Sequence, residues 1–593
     1  MTNTNLLYNY FVCYRLQKQE NRGGTRQSSG YIACLGHLIS ETNLSTKLEC
    51  VRYSSNVLLN HLKLSEHSIE SCCKTLQLIL IKQPACGEII QSKLMNQIIE
   101  PTLRQRSLVQ LHNLVSIAQL LYDLINNYGP DVGSNAVLFE NVTQCLRTLD
   151  SYTEEEQLQE ISIKCKQAMH LFIHKNLKFL KELIQQCLNG LLSKDMKSPS
   201  FIKTIISCLR QIAQRDAEFL SEFGGRYLKK VFDRSHEDET VKTGSLQDQF
   251  GLEGYLLHIA DTTGHIEIID VQEIIMLILA KTSDDRLSFW VKLSLFILSG
   301  NKREEQKNTY EAEETKTEDN DDETFTGIKE SKKKSEKKCR WPIRVLVVRA
   351  MLKLVESCQT SISLKQHFSL KEAIHKQKLS GCKNFLSLHL SDLIKMTFMA
   401  STDENHDVRL LGLEALEELV EMFKFAKEPE FEHIYLLEQY QAQVAAALSP
   451  AFGKLIDVEK ISMHDNSPPP HVVAKACTVA CKWLSSGVCS SLNDTQRVYR
   501  LLVGGLDRIR YEKQFVSYGF SEIARLKQVL AVLKAWSVIY VVTLGNSHVA
   551  KSLEELVAPE IPSLLPLWTD IQGDFYGRSV ISGRVQFLFF ILS

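Results

Sequence analysis

Apolar residues that return every three or four positions, in segment after segment, constrain this chain more than any other feature. In Ser401–Phe423 (STDENHDVRLLGLEALEELVEMF), Val408, Leu411, Gly412, Ala415, Leu419, Val420 and Phe423 fall on one side of a helix. Glu414, Glu417, Glu418 and Glu421 fall largely on the other side, which predicts a solvated acidic face. The polar opening, Ser401 to Asp407, supplies an N-cap and acidic charge where the helix dipole is positive.

The same period recurs at Ile343, Leu346, Val347, Ala350, Met351, Leu354 and Cys358, with Pro342 suited to a first helical position. It recurs at Ile202, Ile205, Ile206, Leu209 and Ala213, and at Val473, Ala476, Cys477, Ala480 and Leu484, stopped near Gly487. A weaker example is Val51, Ser54, Val57, Leu58 and Leu62. The apolar helix Leu386–Met399 precedes the quoted one, and alternating strand patterns bounded by turn dipeptides are nearly absent. Helices this short cannot bury their own apolar faces, so they must stack on neighbours. The fold class expected is all-α: an α-solenoid of HEAT-type antiparallel helix pairs, on the order of a dozen units at roughly 40–47 residues each. In such arrays Asp407 and Arg409, at the opening of a second helix, are expected to hydrogen-bond between adjacent repeats.

A chain of 593 residues is too long for one hydrophobic core, in keeping with an array. Residues 1–30 form a poorly defined N-terminal segment, 31–300 and 339–593 are read as repeats, and 301–338 interrupts them. That interruption is charged, nearly free of aliphatic residues, and turns from acidic to basic along its length. It buries too little apolar surface to offset ordering entropy and is expected to be a disordered loop. Ser331 and Ser335, beside lysines, are phosphorylation candidates within it. A second, shorter break is His464–His471, HDNSPPPH.

The formal net charge is −1, from 69 basic and 70 acidic residues, which gives no global polybasic surface for nucleic acid. The sixteen cysteines follow no disulfide or zinc spacing, and Cys477 and Cys481 lie inside an apolar helical pattern, so both read as core packing. The first residues lack a signal-peptide pattern, and the apolar stretch Leu530–Leu544 is interrupted by Lys534 and too short to span a bilayer. A cytoplasmic protein is expected.

Catalytic patterns are missing. No phosphate-binding glycine loop, nucleophile elbow or HExxH occurs; Phe223-Gly224-Gly225-Arg226 reads as a loop glycine pair, and His464 and His471 as loop histidines. No enzyme, metal or cofactor is expected. The surface candidates are Glu438, Gln439, Tyr440 and Gln441, a polar-aromatic run ahead of an expected turn at Ser449-Pro450. A nuclear transport receptor or a kinase or phosphatase regulatory scaffold would share this architecture.

Particular stretches go further: LSLHLSDLIKMTFMASTD (Leu386–Asp403), EPEF (Glu428–Phe431), LEQYQAQVAAALSPAF (Leu437–Phe452), AKACTVACKWLSSGV (Ala474–Val488), LNDTQRVYRLLVGGL (Leu492–Leu506) and LAVLKAW (Leu530–Trp536). With CLRQIAQRDAEF (Cys208–Phe219), GLEGYLLHIAD (Gly251–Asp261) and RWPIRVLVVRAMLKLV (Arg340–Val355), they resemble the HEAT repeat-containing protein 5 family. The resemblance implies a non-enzymatic accessory scaffold in clathrin-adaptor-linked trafficking between endosomes and the trans-Golgi network. It implies partners like aftiphilin and gamma-synergin together with the clathrin adaptor, and peripheral, indirect association with endosomal and trans-Golgi membranes. It supplies no catalytic residues. Family members are much longer, and the apolar end Val585–Leu592 fits an expectation that the sequence is a fragment.

Overall fold

The computed structural model describes residues 32, 69–82, 95, 99, 103, 110–134, 136–172, 177–193, 198–235, 246–262, 268–300, 339–360, 367–431, 433–453, 468–488, 492–512, 521–545 and 548–576. Residues 1–30, the helix expected at Val51–Leu62, the 301–338 insertion with Ser331 and Ser335, His464 and the run Val585–Leu592 lie outside the described residues. Among the described residues the chain is helical, and its β pairing is an isolated antiparallel bridge between Lys427 and Tyr435. It divides into two compact units: Met1–Lys242 with Thr263–Ile274, and Thr243–Thr262 with Ile275–Ser593.

In the first unit α1 (Ile69–Lys82) packs on α2 (Leu111–Ser134), α2 on α4 (Glu156–Phe172), and α4 on α6 (Pro199–Ser235). On the other side of this row, α3 (Ala136–Asp150) lies against α2 and α4, and α5 (Leu177–Leu192) against α4 and α6. The expected face of Ile205, Ile206, Leu209 and Ala213 is buried, with Ile202 half-buried. Asp216 breaks α6 and accepts from Phe219 N (3.2 Å), so it caps a second helical segment. That segment runs straight through Gly224 and Gly225, which correct the expected loop. Leu220 and Leu228 are fully buried on either side of the glycines, and this packing holds them in the helix.

A polar cluster seals α3, α4 and α5. Lys166 Nζ donates to Asp150 Oδ2 (2.5 Å) and Gln186 Oε1 (2.6 Å), while Gln186 Nε2 donates to Asp150 Oδ1 (2.9 Å). Ser162 Oγ donates to the same Asp150 oxygen (2.7 Å). Gln159 Nε2 reaches the carbonyls of Leu149, Asp150 and Tyr152, which closes the end of α3.

The second unit begins with α7 (Leu246–Thr262) and takes in the latter part of α8 (Ile268–Thr282). It continues with α9 (Leu287–Ser299), α10 (Trp341–Thr360), α11 (Leu370–Ser380), α12 (Leu390–Ser401) and α13 (His406–Phe423). Beyond these come α14 (Gln441–Phe452), α15 (Pro470–Ser485), α16 (Leu492–Glu512), α17 (Glu522–Thr543), α18 (His548–Val557) and α19 (Ile561–Tyr576). Two rows emerge: α9, α12, α14 and α16 pack in succession, as do α10, α13, α15 and α17. Successive members pair across the rows as α9/α10, α12/α13, α14/α15 and α16/α17, which is a HEAT-type α-solenoid. All seven residues expected on the buried face of α10 are buried, as are all five expected on α15.

Sequence expectations fail here in three places. Pro469 and Pro470 open α15, so His471 lies in its first turn rather than in a loop; a proline at the first helical position loses only an N–H that has no partner there anyway. The turn expected at Ser449-Pro450 is helix, since α14 continues to Phe452 and stops at Gly453, φ 68°. The apolar stretch from Leu530 to Thr543 is the latter part of a longer helix, with Leu544 at its cap, and Ile523–Thr543 is by length and composition long and apolar enough to cross a membrane. In this fold Val532, Leu533, Ala535, Trp536 and Ile539 of α17 are buried, in a seam where Cys481 Sγ of α15 meets Ala535 O at 3.5 Å. Lys534 is exposed on the far side.

Candidate protein-docking surface

The turn between α12 and α13 shows how neighbouring helices are tied. Asn405 caps α13 by accepting from Asp407 N (3.0 Å) and Val408 N (3.2 Å). Arg409 Nε and Nη2 donate to Asp403 O (3.1 and 2.8 Å), so this arginine closes its own turn. Asp407 is exposed at the start of the helix. The charge pair leaving this turn belongs to Asp403, whose carboxylate meets Arg344 of α10 with both side chains largely buried. The structure thus places the tie to the neighbouring helix at Asp403, not at the expected Asp407 and Arg409. Asp403 is shielded beneath the turn, whereas Asp407 points to water.

On α13 the expected solvated acidic face is interrupted. Glu417 is only 8% exposed, and its oxygens meet Lys475 (2.5 Å) and Lys482 (2.8 Å), both of α15. Burial pushes its carboxyl up, but the hydrogen bonds and charges of the two lysines outweigh that and hold it below the ordinary carboxylate value. Behind it Gly412 backs onto α12: a Cβ there would sit 2.4 Å from Ser401 N and 2.6 Å from the Ala400 carbonyl carbon.

The residues between α13 and α14 form the ordered surface that includes the sequence candidates. Ala426 O accepts from Leu436 N (2.8 Å) and Ile434 O from Glu428 N (3.0 Å), on either side of the Lys427–Tyr435 bridge. This short ladder holds Phe425, 74% exposed, and Phe431, 52% exposed, in solvent. Glu438, Gln439 and Tyr440 follow as a 3-10 turn, and Gln441 opens α14. Gln439 is exposed and donates to Leu436 O (3.2 Å). Tyr440 is half-buried; burial raises its hydroxyl pKa, opposed by a hydrogen bond with Ser391 of α12 and reinforced by the charges of Glu428 and Asp392. The fold therefore brings EPEF and the Glu438–Gln441 run together, with Tyr440 joining the surface to α12. Gln441 is half-buried and its Oε1 is enclosed.

Chemically this surface offers exposed aromatic rings, carboxylates and amides, suited to protein contact rather than to bond making. Cys477 and Cys481 are buried thiols, and burial pushes Cys481 up to about 12. Among the described residues no cluster of three or more His, Cys, Asp or Glu is set to hold a metal ion. Sequence reasoning missed Glu417 and the exposed phenylalanines. The spacing of Glu417 to a following lysine-bearing helix was present, but the pairing of those helices was not readable.

Residues 385–576 match the Laa1/Sip1/HEATR5 HEAT repeat region. Over 199 residues the chain is 28% identical to AP-1 accessory protein LAA1 of Saccharomyces cerevisiae, which covers 33% of this chain and 9% of that protein. Over 487 residues it is 22% identical to Protein SWEETIE of Arabidopsis thaliana, covering 78% of this chain and 19% of that one. The chain thus spans less than a fifth of the length of these relatives. Among solved structures, a crystal structure of importin beta aligns over 99% of this chain and 68% of its own length, with 10% identity and a TM-score of 0.45.

Proposed function

From a chain that carries a Laa1/Sip1/HEATR5 HEAT repeat region over residues 385–576, we infer an accessory scaffold of clathrin-adaptor-linked membrane trafficking. The observation that carries this reading is that match, together with a relative whose name assigns it to the AP-1 adaptor. The scaffold acts without catalysis. Its stacked helix pairs give long, stiff surfaces on which peptide segments or helical partners can be held at fixed separations. In this reading the chain works in the cytoplasm, peripherally on endosomal and trans-Golgi membranes, through subunits resembling aftiphilin and gamma-synergin and through the adaptor itself. Membrane attachment is then indirect, supplied by the adaptor. Glu438, Gln439, Tyr440 and Gln441 contribute to a protein contact, while Asp407 and Arg409 shape the helix turn beside it.

Proximity labelling in cells with the 593-residue chain as bait tests this directly. Enrichment of adaptor subunits or of aftiphilin-like and gamma-synergin-like proteins is the expected result. Enrichment of a nuclear-transport GTPase or of a kinase or phosphatase catalytic subunit, without adaptor components, overturns it.

A further inference from the structure

Within the first unit, α6 begins beside the start of α4, at the dipeptide Ser198-Pro199. Ser198 Oγ accepts from Phe201 N (3.3 Å), so this serine caps α6. The same residue also reaches across to α4. Its N–H donates to Glu156 Oε1 (2.8 Å), and its hydroxyl donates to the same oxygen. One turn along α4, Glu160 Oε1 accepts from Ser200 Oγ (2.9 Å) and Thr204 Oγ1 (3.1 Å), with Lys164 Nζ at 2.7 Å. Three hydroxyls at the start of α6 thus meet two carboxylates of α4, and each must keep its proton to hold the seam. Among the described residues no cation pairs with Glu156. Ser198, Pro199 and Ser200 are exposed, whereas Thr204 is buried. Ser198 is the hydroxyl that proline follows. Pro199 biases it toward extended backbone and leaves the next position without an N–H. An enzyme groove with no acceptor at that position accommodates proline and rejects other residues, whose N–H would go unpaired.

We propose that Ser198 is a phosphorylation site for a proline-directed serine/threonine kinase, and that its phosphate releases the start of α6 from Glu156. In the transfer the Ser198 oxygen bonds to the γ-phosphorus of ATP, and the bond from that phosphorus to the β,γ-bridging oxygen breaks. ADP leaves, and the hydroxyl proton passes to the base of the kinase. The product carries close to two negative charges and has lost the proton that Glu156 accepted. Attraction across the seam becomes repulsion. Within α6 the sign is opposite, because the first-turn N–H groups and the helix dipole favour a dianion at the cap. The modification therefore strengthens the cap of α6 while it breaks the tie to α4. The inference goes beyond the trafficking reading and does not rest on it.

The experiment treats the full chain with a purified proline-directed kinase and ATP, locates the phosphate by peptide mass spectrometry, and compares amide hydrogen exchange before and after. The phosphate is expected on Ser198 and should be lost in Pro199→Ala. Exchange over the first two turns of α4 should rise about tenfold, while the first turn of α6 exchanges no faster than before. In Glu156→Gln the rise should shrink to about twofold or less, since an amide can donate to the phosphate. The same phosphopeptide should be recovered from cells that express the chain under phosphatase inhibition. Ser198 left unmodified in either setting overturns the proposal, as does equal modification of Pro199→Ala. So does a phosphate on Ser198 that leaves α4 unchanged, that speeds both helices alike, or that acts as strongly in Glu156→Gln.

Discussion

Gly412 and Glu417, five residues apart on α13, show how much a single side chain decides in this array. Gly412 has ordinary helical geometry, so the glycine is needed for space rather than for backbone freedom: α12 backbone lies where a Cβ would be. Gly412→Ala should therefore destabilise the second unit by about 3 kcal/mol, because backbone cannot move aside as a flexible side chain can. Urea titration would read this, and an unchanged midpoint would contradict the close approach. Glu417 acts through charge. Its folded carboxyl lies below the ordinary value of 4.5, so its contribution is whole above that value and lost as pH falls through the folded one. Glu417→Gln should cost about 1–2 kcal/mol at neutral pH and progressively less below about pH 4. A cost independent of pH would rule out the ion pair as its source. Cys477 and Cys481, both buried and with raised thiol values, should resist alkylation in the native protein at pH 8 and react after unfolding.

At the scale of elements, α10, α13 and α15 were legible because the apolar period belongs to each helix alone. Val408, Ala415, Leu419, Val420 and Phe423 are buried as their spacing requires, and α10 and α15 follow suit. Element ends were less legible: Pro450 sits inside α14 and two glycines sit inside α6, since tertiary packing overrides local preference. Polar seams were illegible, because they join helices far apart in sequence. The cluster around Asp150 is the clearest case, gathering Ser162 and Lys166 from α4 and Gln186 from α5. Asp150→Ala should cost about 3–5 kcal/mol, since it leaves the nearly buried Lys166 ammonium without its counter-charge. Lys166→Met should cost less, because Asp150 is more open to water. Chemical denaturation of the two variants side by side checks the order.

For the whole molecule, the two units set what stability means. All five tryptophans, Trp290, Trp341, Trp483, Trp536 and Trp568, fall in the second unit, so tryptophan fluorescence reports that unit alone, while circular dichroism reports both. Long repeat arrays need not unfold in one step. Glu417→Gln should shift the fluorescence transition, whereas Asp150→Ala should shift only the dichroism transition. Coincident shifts in both probes would show a single cooperative body. The sequence by itself determined that this protein is a stack of paired helices, because an apolar stripe of helical period is a local property that demands a neighbour. The family resemblance was legible in the same way, in contiguous blocks that keep their order. Only the tertiary structure decided which neighbour each helix meets. It paired Glu417 with α15 lysines, moved the tie between helices from Arg409 to Asp403, and set EPEF beside Tyr440. Those outcomes depend on distances between residues that spacing along the chain does not encode.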